Sequence, residues 1–141
     1  MHNSIENISD FFACYKKAAW ERDIMAMISL YDENVMIFDM WNKGFAPGIH
    51  GCTSMITDWL SSLKGENVNV EFEMIEIQEN ENIAFASALI QFEAIDKNNS
   101  VIRSMKNRIS LGFVKTGGYW KVKHQHTSAP IDSNLKAILD I

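Results

Sequence analysis

Cysteine is nearly absent from this chain. Cys14 and Cys52 are the only two, and no Cys-x-x-Cys pair occurs. That excludes a disulfide scaffold and reads as free thiols in a reducing compartment. Proline is equally scarce, with two residues, so no Pro-rich linker divides the sequence. No apolar run approaches the roughly 20 residues that span a bilayer, which argues against a membrane protein. The opening "MHNSIENISDFF" lacks the basic and apolar blocks of a signal peptide, and the expected location is the cytoplasm. Lys and Arg form no stripe, and the net charge is −5. Nucleic acid is therefore not an expected partner.

What is present suits one globular domain over residues 1–141. The chain has 141 residues, enough to bury a core without a disulfide or metal staple. Eight Phe, four Trp and eight Met supply material for a large core or an apolar cavity. Apolar residues recur at Ile5, Ile8, Phe12, Tyr15 and Ala19, spacings of three and four that predict an amphipathic helix. Asn3 or Ser4 is placed to cap it. "DIMAMISLY" predicts a short second helix with Asp23 as its N-cap. "ENVMIFDMW" predicts a strand, and "NKGFAPGIHG" a loop. In "TSMITDWLSSLKG" the apolar residues share one helical face, with Gly65 placed to end it.

From Asn67 the period changes to two. Val68, Val70, Phe72 and Met74 alternate with polar residues, and then the apolar parity flips to Ile75 and Ile77. One extra residue would do that, so a bulge or sharp bend is expected near Ile75. "NIAFASALIQFEAI" predicts a strand covered on both faces. Two further strands, "IRSMKNRISLGFVK" and "YWKVKHQHTS", meet at Gly117-Gly118, a hairpin signal. The tail "IDSNLKAILDI" is expected to form a short helix. The order predicts an α+β fold: a curved antiparallel sheet with helices on one face, shaped as a cone that encloses a pocket.

The glycine hairpin sets a register. With Thr116 opposite Tyr119, even counting puts Phe113 opposite Val122 and Leu111 opposite His124. It also puts Ile109 opposite His126 and Asn107 opposite Ser128. Both histidines then face the apolar side. A buried imidazole needs polar partners, and Asp39, at the end of the first strand, is the carboxylate best placed to supply one.

At this point the residues resemble a known family. "LYDENVMIFDMWNKGFAPGIHG" and "RISLGFVKTGGYWKVKHQHTSAP" are similar to the nuclear transport factor 2-like superfamily. Within it they resemble the SnoaL-like domains, described as ketosteroid isomerase homologues. The first carries a strand ending in Phe-Asp with its loop to a Gly. The second carries the glycine hairpin and the Trp-x-x-x-His-x-His-x-Ser-x-Pro ending. The resemblance implies an α+β cone with a cystatin-like sheet, an internal pocket, and a homodimer packed through the outer sheet face. True ketosteroid isomerases use an Asp base and an oxyanion hole of a Tyr and a protonated Asp. By resemblance Asp39 matches the base and Tyr15 the Tyr. The protonated Asp has no counterpart, because "NRISL" carries no acid, and a generic proton-transfer site is what remains.

Each candidate has a functional and a plain reading. Asp39 is a general base in an apolar cavity, or a strand-end carboxylate that fixes the next loop or bonds His126. His126 is the acid/base partner of Asp39, or a core histidine; His124 lies nearer the hairpin and reads as a lining residue. With Asp39 the two histidines would make a two-His-one-carboxylate metal set, the least favoured alternative, so no metal and no cofactor are expected. Tyr15 donates to a substrate oxygen, or is a core aromatic. Trp41, Phe45, Trp59 and Trp120 line the pocket with Asn107, or fill the core. Three functions stay open: a cofactor-independent isomerase or lyase moving a proton on an apolar carbonyl compound, a ligand-binding module, and an accessory or dimerisation domain.

Overall fold

The structure is a computed structural model and describes residues 4–141. Three helices and six strands follow one another as α1 (Asp10–Glu21), α2 (Ile24–Ile28), β1 (Tyr31–Phe38), β2 (Phe45–Pro47), α3 (Gly48–Ser61), β3 (Asn67–Glu79), β4 (Ile83–Ile95), β5 (Val101–Thr116) and β6 (Tyr119–Ser128). The strands form one sheet in the order β2-β1-β6-β5-β4-β3. All neighbours are antiparallel except β1 and β6, which run parallel. The fold is the expected α+β arrangement of helices against a curved sheet. None of the helices among the described residues is long and apolar enough to cross a membrane.

The first helix starts later than its pattern predicts. Ile5 and Ile8 are buried, but they lie in the turns that lead into α1. The lead-in is tied to the sheet instead, where the Trp120 N–H donates to the Ile5 carbonyl at 2.8 Å. Ser4 is therefore not its cap, and Asn3 lies outside the described residues. Buried Phe11, Phe12, Tyr15, Ala18 and Ala19 give α1 its inner stripe. Arg22 ends the helix in the left-handed region, φ 54°, with its N–H on the Ala18 and Ala19 carbonyls. Asp23 caps α2 as predicted, accepting from the Ala26 N–H at 3.0 Å.

Two other expectations are corrected. Part of the expected loop, Phe45–Pro47, pairs with Met36–Phe38 as a short edge strand, and α3 begins directly after it at Gly48. The tail forms no helix. It folds back through bridges Ile131–Ala137 and Lys106–Asp140, because β5 runs past the end of β6 and leaves backbone groups there to be paired. The Lys106 N–H donates to the Leu139 carbonyl at 2.6 Å.

The expected bend in β3 is present. Pairing runs Glu73 with Leu89 and then Glu76 with Ser87, so one residue is extra, and Met74 adopts φ 55°. This bend curves the sheet over the helices. At its hairpin end the inner face is solid: Phe11 meets Phe113 edge-on at 5.3 Å, with Trp120 and Val122 buried beside them. At the other end the helices do not fill the space.

Candidate functional site

The inner face of β6 is set by a second bulge. Phe113 pairs with Val122 as counted from the hairpin, but Gly112 then pairs with His124. Two residues of β6 advance against one of β5, so Lys123 is extra. From there every pairing moves by one: Leu111 with Gln125, Ser110 with His126, Ile109 with Thr127 and Arg108 with Ser128. A one-residue slip exchanges the faces of a strand. The expected partners Leu111–His124, Ile109–His126 and Asn107–Ser128 are thus replaced, and Gln125 and Thr127 point inward where the histidines were expected.

The histidines lie on the outer face. His126 is exposed, and its ring stands 5.5 Å from that of Phe38, its neighbour across the parallel β1–β6 pair. His124 contacts Phe38 at 4.9 Å, and its Nδ1 lies 2.9 Å from the Met36 carbonyl oxygen. Asp39 is on the opposite face, so His126 does not meet it and no two-His-one-carboxylate set is assembled. Among the described residues no group of three or more His, Cys, Asp or Glu is placed to hold a metal.

The unfilled end of the inner face is a cavity of about 660 Å³, within the usual range of roughly 300–1,000 Å³ for small-molecule pockets. Its apolar wall includes Met27, Met55, Ile56, Trp59, Phe92 and Met105. Trp59 stands edge-on to Phe92 at 5.8 Å. Its polar wall includes Tyr15, Tyr31, Asp39, Asn107, Gln125 and Thr127. The fully buried polar side chains among the described residues are Asn107, Gln125 and Thr127, at 2%, 4% and 8% exposure. All three border this cavity, so buried polarity is concentrated at one place, as in a ligand site.

Each polar group has a structural reason for its pose. Asp39 follows directly on β1, beside Thr127 of β6. The Thr127 hydroxyl donates to Asp39 Oδ1 at 3.1 Å. Asp39 also ties its own loop, its N–H donating to the Gly44 carbonyl at 2.8 Å. Tyr31 donates its hydroxyl to Gln125 Oε1 at 2.7 Å. Tyr15 comes from the inner stripe of α1, and its hydroxyl has no hydrogen-bond partner among the described residues. Burial, then the nearby Asp39 carboxylate, pushes its phenol well above the ordinary value of 10.0. Tyr31 is pushed up likewise, mainly by burial. Both stay protonated donors at neutral pH. Asn107 keeps an unpartnered, sealed Oδ1, because β6 ends opposite Arg108 and no β6 residue lies across from Asn107.

The other expected lining residues divide. Trp41 and Trp59 border the cavity, Trp41 from the loop after β1. Phe45 is exposed on edge strand β2 and does not border it. Trp120 is core at the hairpin end, with the Lys115 ammonium 5.4 Å from its ring centre. At the rim Arg103 pairs with Glu66. Cys52 is buried, and burial raises its thiol to about 12, so it is an inert core thiol. Sequence reasoning missed Tyr31, Gln125 and Thr127. Beyond Val122 both parities of β6 are polar, so no hydrophobic pattern marked which side is inner.

Comparison with known proteins agrees with this fold. Residues 8–132 match a family model described as a SnoaL-like domain. None of the curated proteins matches the sequence. The fold is similar to a solved NTF2-like protein of unknown function from Pseudomonas putida KT2440. That pair has a TM-score of 0.83 at 23% identity, over 95% of this chain and 92% of the other. It is similar to ActVI-ORFA from Streptomyces coelicolor, TM-score 0.75 at 10% identity, covering 86% of this chain and 92% of that one. A third similar structure, from Xanthomonas campestris, is described as a calcium/calmodulin-dependent protein kinase II association domain. There the TM-score is 0.73 at 12% identity, over 95% and 87% of the two chains. At such identities these structures speak for the NTF2-like fold, and the family model, which spans most of the sequence, makes the chain a member of the SnoaL-like domain family.

Proposed function

We propose that this protein binds a small apolar carbonyl compound in the cavity and moves a proton on it without a cofactor. The observation that carries the reading is the pairing of Asp39 with Tyr15 in one partly apolar cavity. Thr127 holds one oxygen of Asp39 and leaves the other for a C–H proton. The Tyr15 hydroxyl has no partner among the described residues and stays protonated, so it is ready to donate to the oxygen that gains charge. In the reaction Asp39 takes a proton from the carbon beside the carbonyl. The C–H electron pair moves into the new C=C bond, and the C=O pair moves onto oxygen as an enolate. The Asp39 carboxyl then returns a proton to the enolate system, at the same carbon or one in conjugation with it. His126, exposed on the outer face, has no part in this chemistry.

The test needs no knowledge of the natural compound. In deuterium oxide, exchange of the α-protons of 2-tetralone is followed by proton NMR. Wild type is expected to speed exchange over buffer, and Asp39→Asn to lose about 100-fold or more of that acceleration. Equal exchange with both proteins overturns the reading. One observation favours a second reading, binding without chemistry: most of the polar wall is neutral, built from Gln125, Thr127, Asn107 and Tyr31. Saturable binding of 2-tetralone with no acceleration by wild type would select it.

The outer sheet face supports packing of a second copy. Phe38 is 42% exposed and Phe85 59%, and Phe38 forms a ring cluster with His124 and His126. A similar structure is itself described as an association domain. Buried in a dimer, these rings would leave water, which is a favourable change for apolar area.

A further inference from the structure

We infer that Gln125 is a second donor to the charged oxygen of the ligand, held in its working orientation by Tyr31. This rests on the proton-transfer reading and deepens it. An enolate oxygen has room for more than one donor, and stabilising it in a cavity needs donors fixed before the reaction. Tyr15 supplies one. No acid on β5 supplies another, since "NRISL" carries none. From the neighbouring strand Gln125 and Thr127 face the cavity, brought inward by the bulge at Lys123, and Thr127 is taken up by Asp39.

The hydrogen bonding fixes what Gln125 offers. A glutamine amide has one acceptor end and one donor end. Tyr31 donates to the acceptor end, Oε1, at 2.7 Å. The Nε2 end has no protein acceptor among the described residues, and Gln125 lines the cavity. Its N–H groups therefore point to where a ligand oxygen would lie. Gln125 is also close to the rest of the machinery. It stands two residues before Thr127, on the same inner face, and Thr127 holds Asp39. Tyr31, its partner, lies close enough to feel the charge of Asp39. Tyr31 is a positioning residue, because it acts only through the Gln125 amide. The ligand this wall accepts brings an acceptor oxygen, a carbonyl that becomes an enolate, and not a bare hydrocarbon.

The test compares 2-tetralone with tetralin, the same skeleton without the oxygen, by quenching of tryptophan fluorescence. Wild type is expected to prefer 2-tetralone by about tenfold. Gln125→Leu should erase most of that preference while changing tetralin binding by less than about threefold. It should also lower the turnover number for α-proton exchange by roughly 100-fold, the scale of removing one oxyanion donor. Tyr31→Phe frees the amide to turn and should lose part of the preference, leaving tetralin binding unchanged. Gln125→Glu places an anion at the same point and should reject 2-tetralone more strongly than Gln125→Leu does. An unchanged preference in Gln125→Leu overturns the inference. So does an equal loss of both probes, which would mark Gln125 as structural. The proton-transfer reading falls separately, by Asp39→Asn leaving exchange intact.

Discussion

The two ends of the β5–β6 hairpin share their strands and their helical cover, yet one is core and the other is a site. Near Gly117-Gly118 the inner positions are Phe113, Trp120 and Val122, and Phe11 of α1 closes over them. Past the bulge at Lys123 the inner positions of β6 are Gln125 and Thr127, with Asn107 beyond them on β5. No helix fills the space there, and the wall turns polar. The difference shows where a small domain keeps stability and where it keeps chemistry. Close packing at the hairpin end supports a hollow at the other end that packing alone would not justify.

The comparison breaks most sharply if the solid end is hollowed. Phe113 is 1% exposed and meets Phe11 edge-on at 5.3 Å. Phe113→Ala is expected to cost about 3–5 kcal/mol, the range for a large core aromatic that leaves a cavity behind. Urea unfolding, with an unchanged slope, measures it. A loss below about 1 kcal/mol would mean that the hairpin end is not the structural anchor.

At the polar end the expected stability effects are smaller and depend on pH. Tyr31→Phe removes the donor to Gln125 Oε1 and is expected to cost about 1 kcal/mol at neutral pH, since the amide borders the cavity and water relieves part of the loss. The alkaline behaviour is more specific. Tyr15 and Tyr31 have native values above the unfolded value of about 10. The native state therefore holds those protons longer than the unfolded state. That stability is complete below about pH 10 and falls as pH rises toward the raised native values, by up to about 1.4 kcal/mol per pH unit for each tyrosine. Absorbance at 295 nm should show these two phenols ionising only as the protein unfolds. Tyr31→Phe should make the alkaline loss shallower by one group's share. Ionisation of both phenols in the folded state near pH 10 would contradict their burial.

Much of the fold was legible in the sequence because apolar periodicity reports burial directly. The α1 stripe, the Asp23 cap, the glycine hairpin and the bend at Met74 all follow from it. The bend is the instructive case. There the apolar parity flips from Phe72 to Ile77, so an extra residue leaves a visible trace. The same event at Lys123 leaves none, because Lys, His, Gln, His and Thr follow on both faces. The strand end puts Asp39 at the cavity and helical spacing puts Tyr15 and Trp59 there, while Asn107 lines it although its expected partner Ser128 pairs with Arg108 instead. One uncounted residue on β6 puts His124 and His126 on the wrong face and hides Gln125 and Thr127, whereas Tyr31 falls within the predicted second helix and instead opens β1. The tail departs from its pattern for a different reason. Its apolar residues have a helical spacing, but the backbone edge that β5 leaves open beyond Ser128 captures it.

The smallest expected effect sharpens the comparison most, because it isolates the bulge itself. Deleting Lys123 removes the extra residue from the β5–β6 pairing, at the point where the β1–β6 register also shifts. Val122 would still lie opposite Phe113 and face inward. The next residue, His124, would still lie opposite Gly112 and face outward, so Gln125 and Thr127 keep the inner face. What is lost is the bulge's local twist and one bond, Lys123 Nζ to the Asn34 carbonyl at 2.7 Å, between exposed groups. The cost should stay near 1 kcal/mol or less, as for surface changes away from buried features. Reaction with diethyl pyrocarbonate reads the faces directly. His126, exposed on the single chain, should be carbethoxylated at a similar rate in wild type and in the deletion variant when both are compared as monomers. If the count from the hairpin ruled instead, with no bulge to absorb a residue, the deletion would exchange the faces. The reactivity of His126 would then change sharply, and Gln125 would leave the cavity wall. An unchanged His126 with a stable, folded variant is the outcome that ties the polar wall to the bulge register.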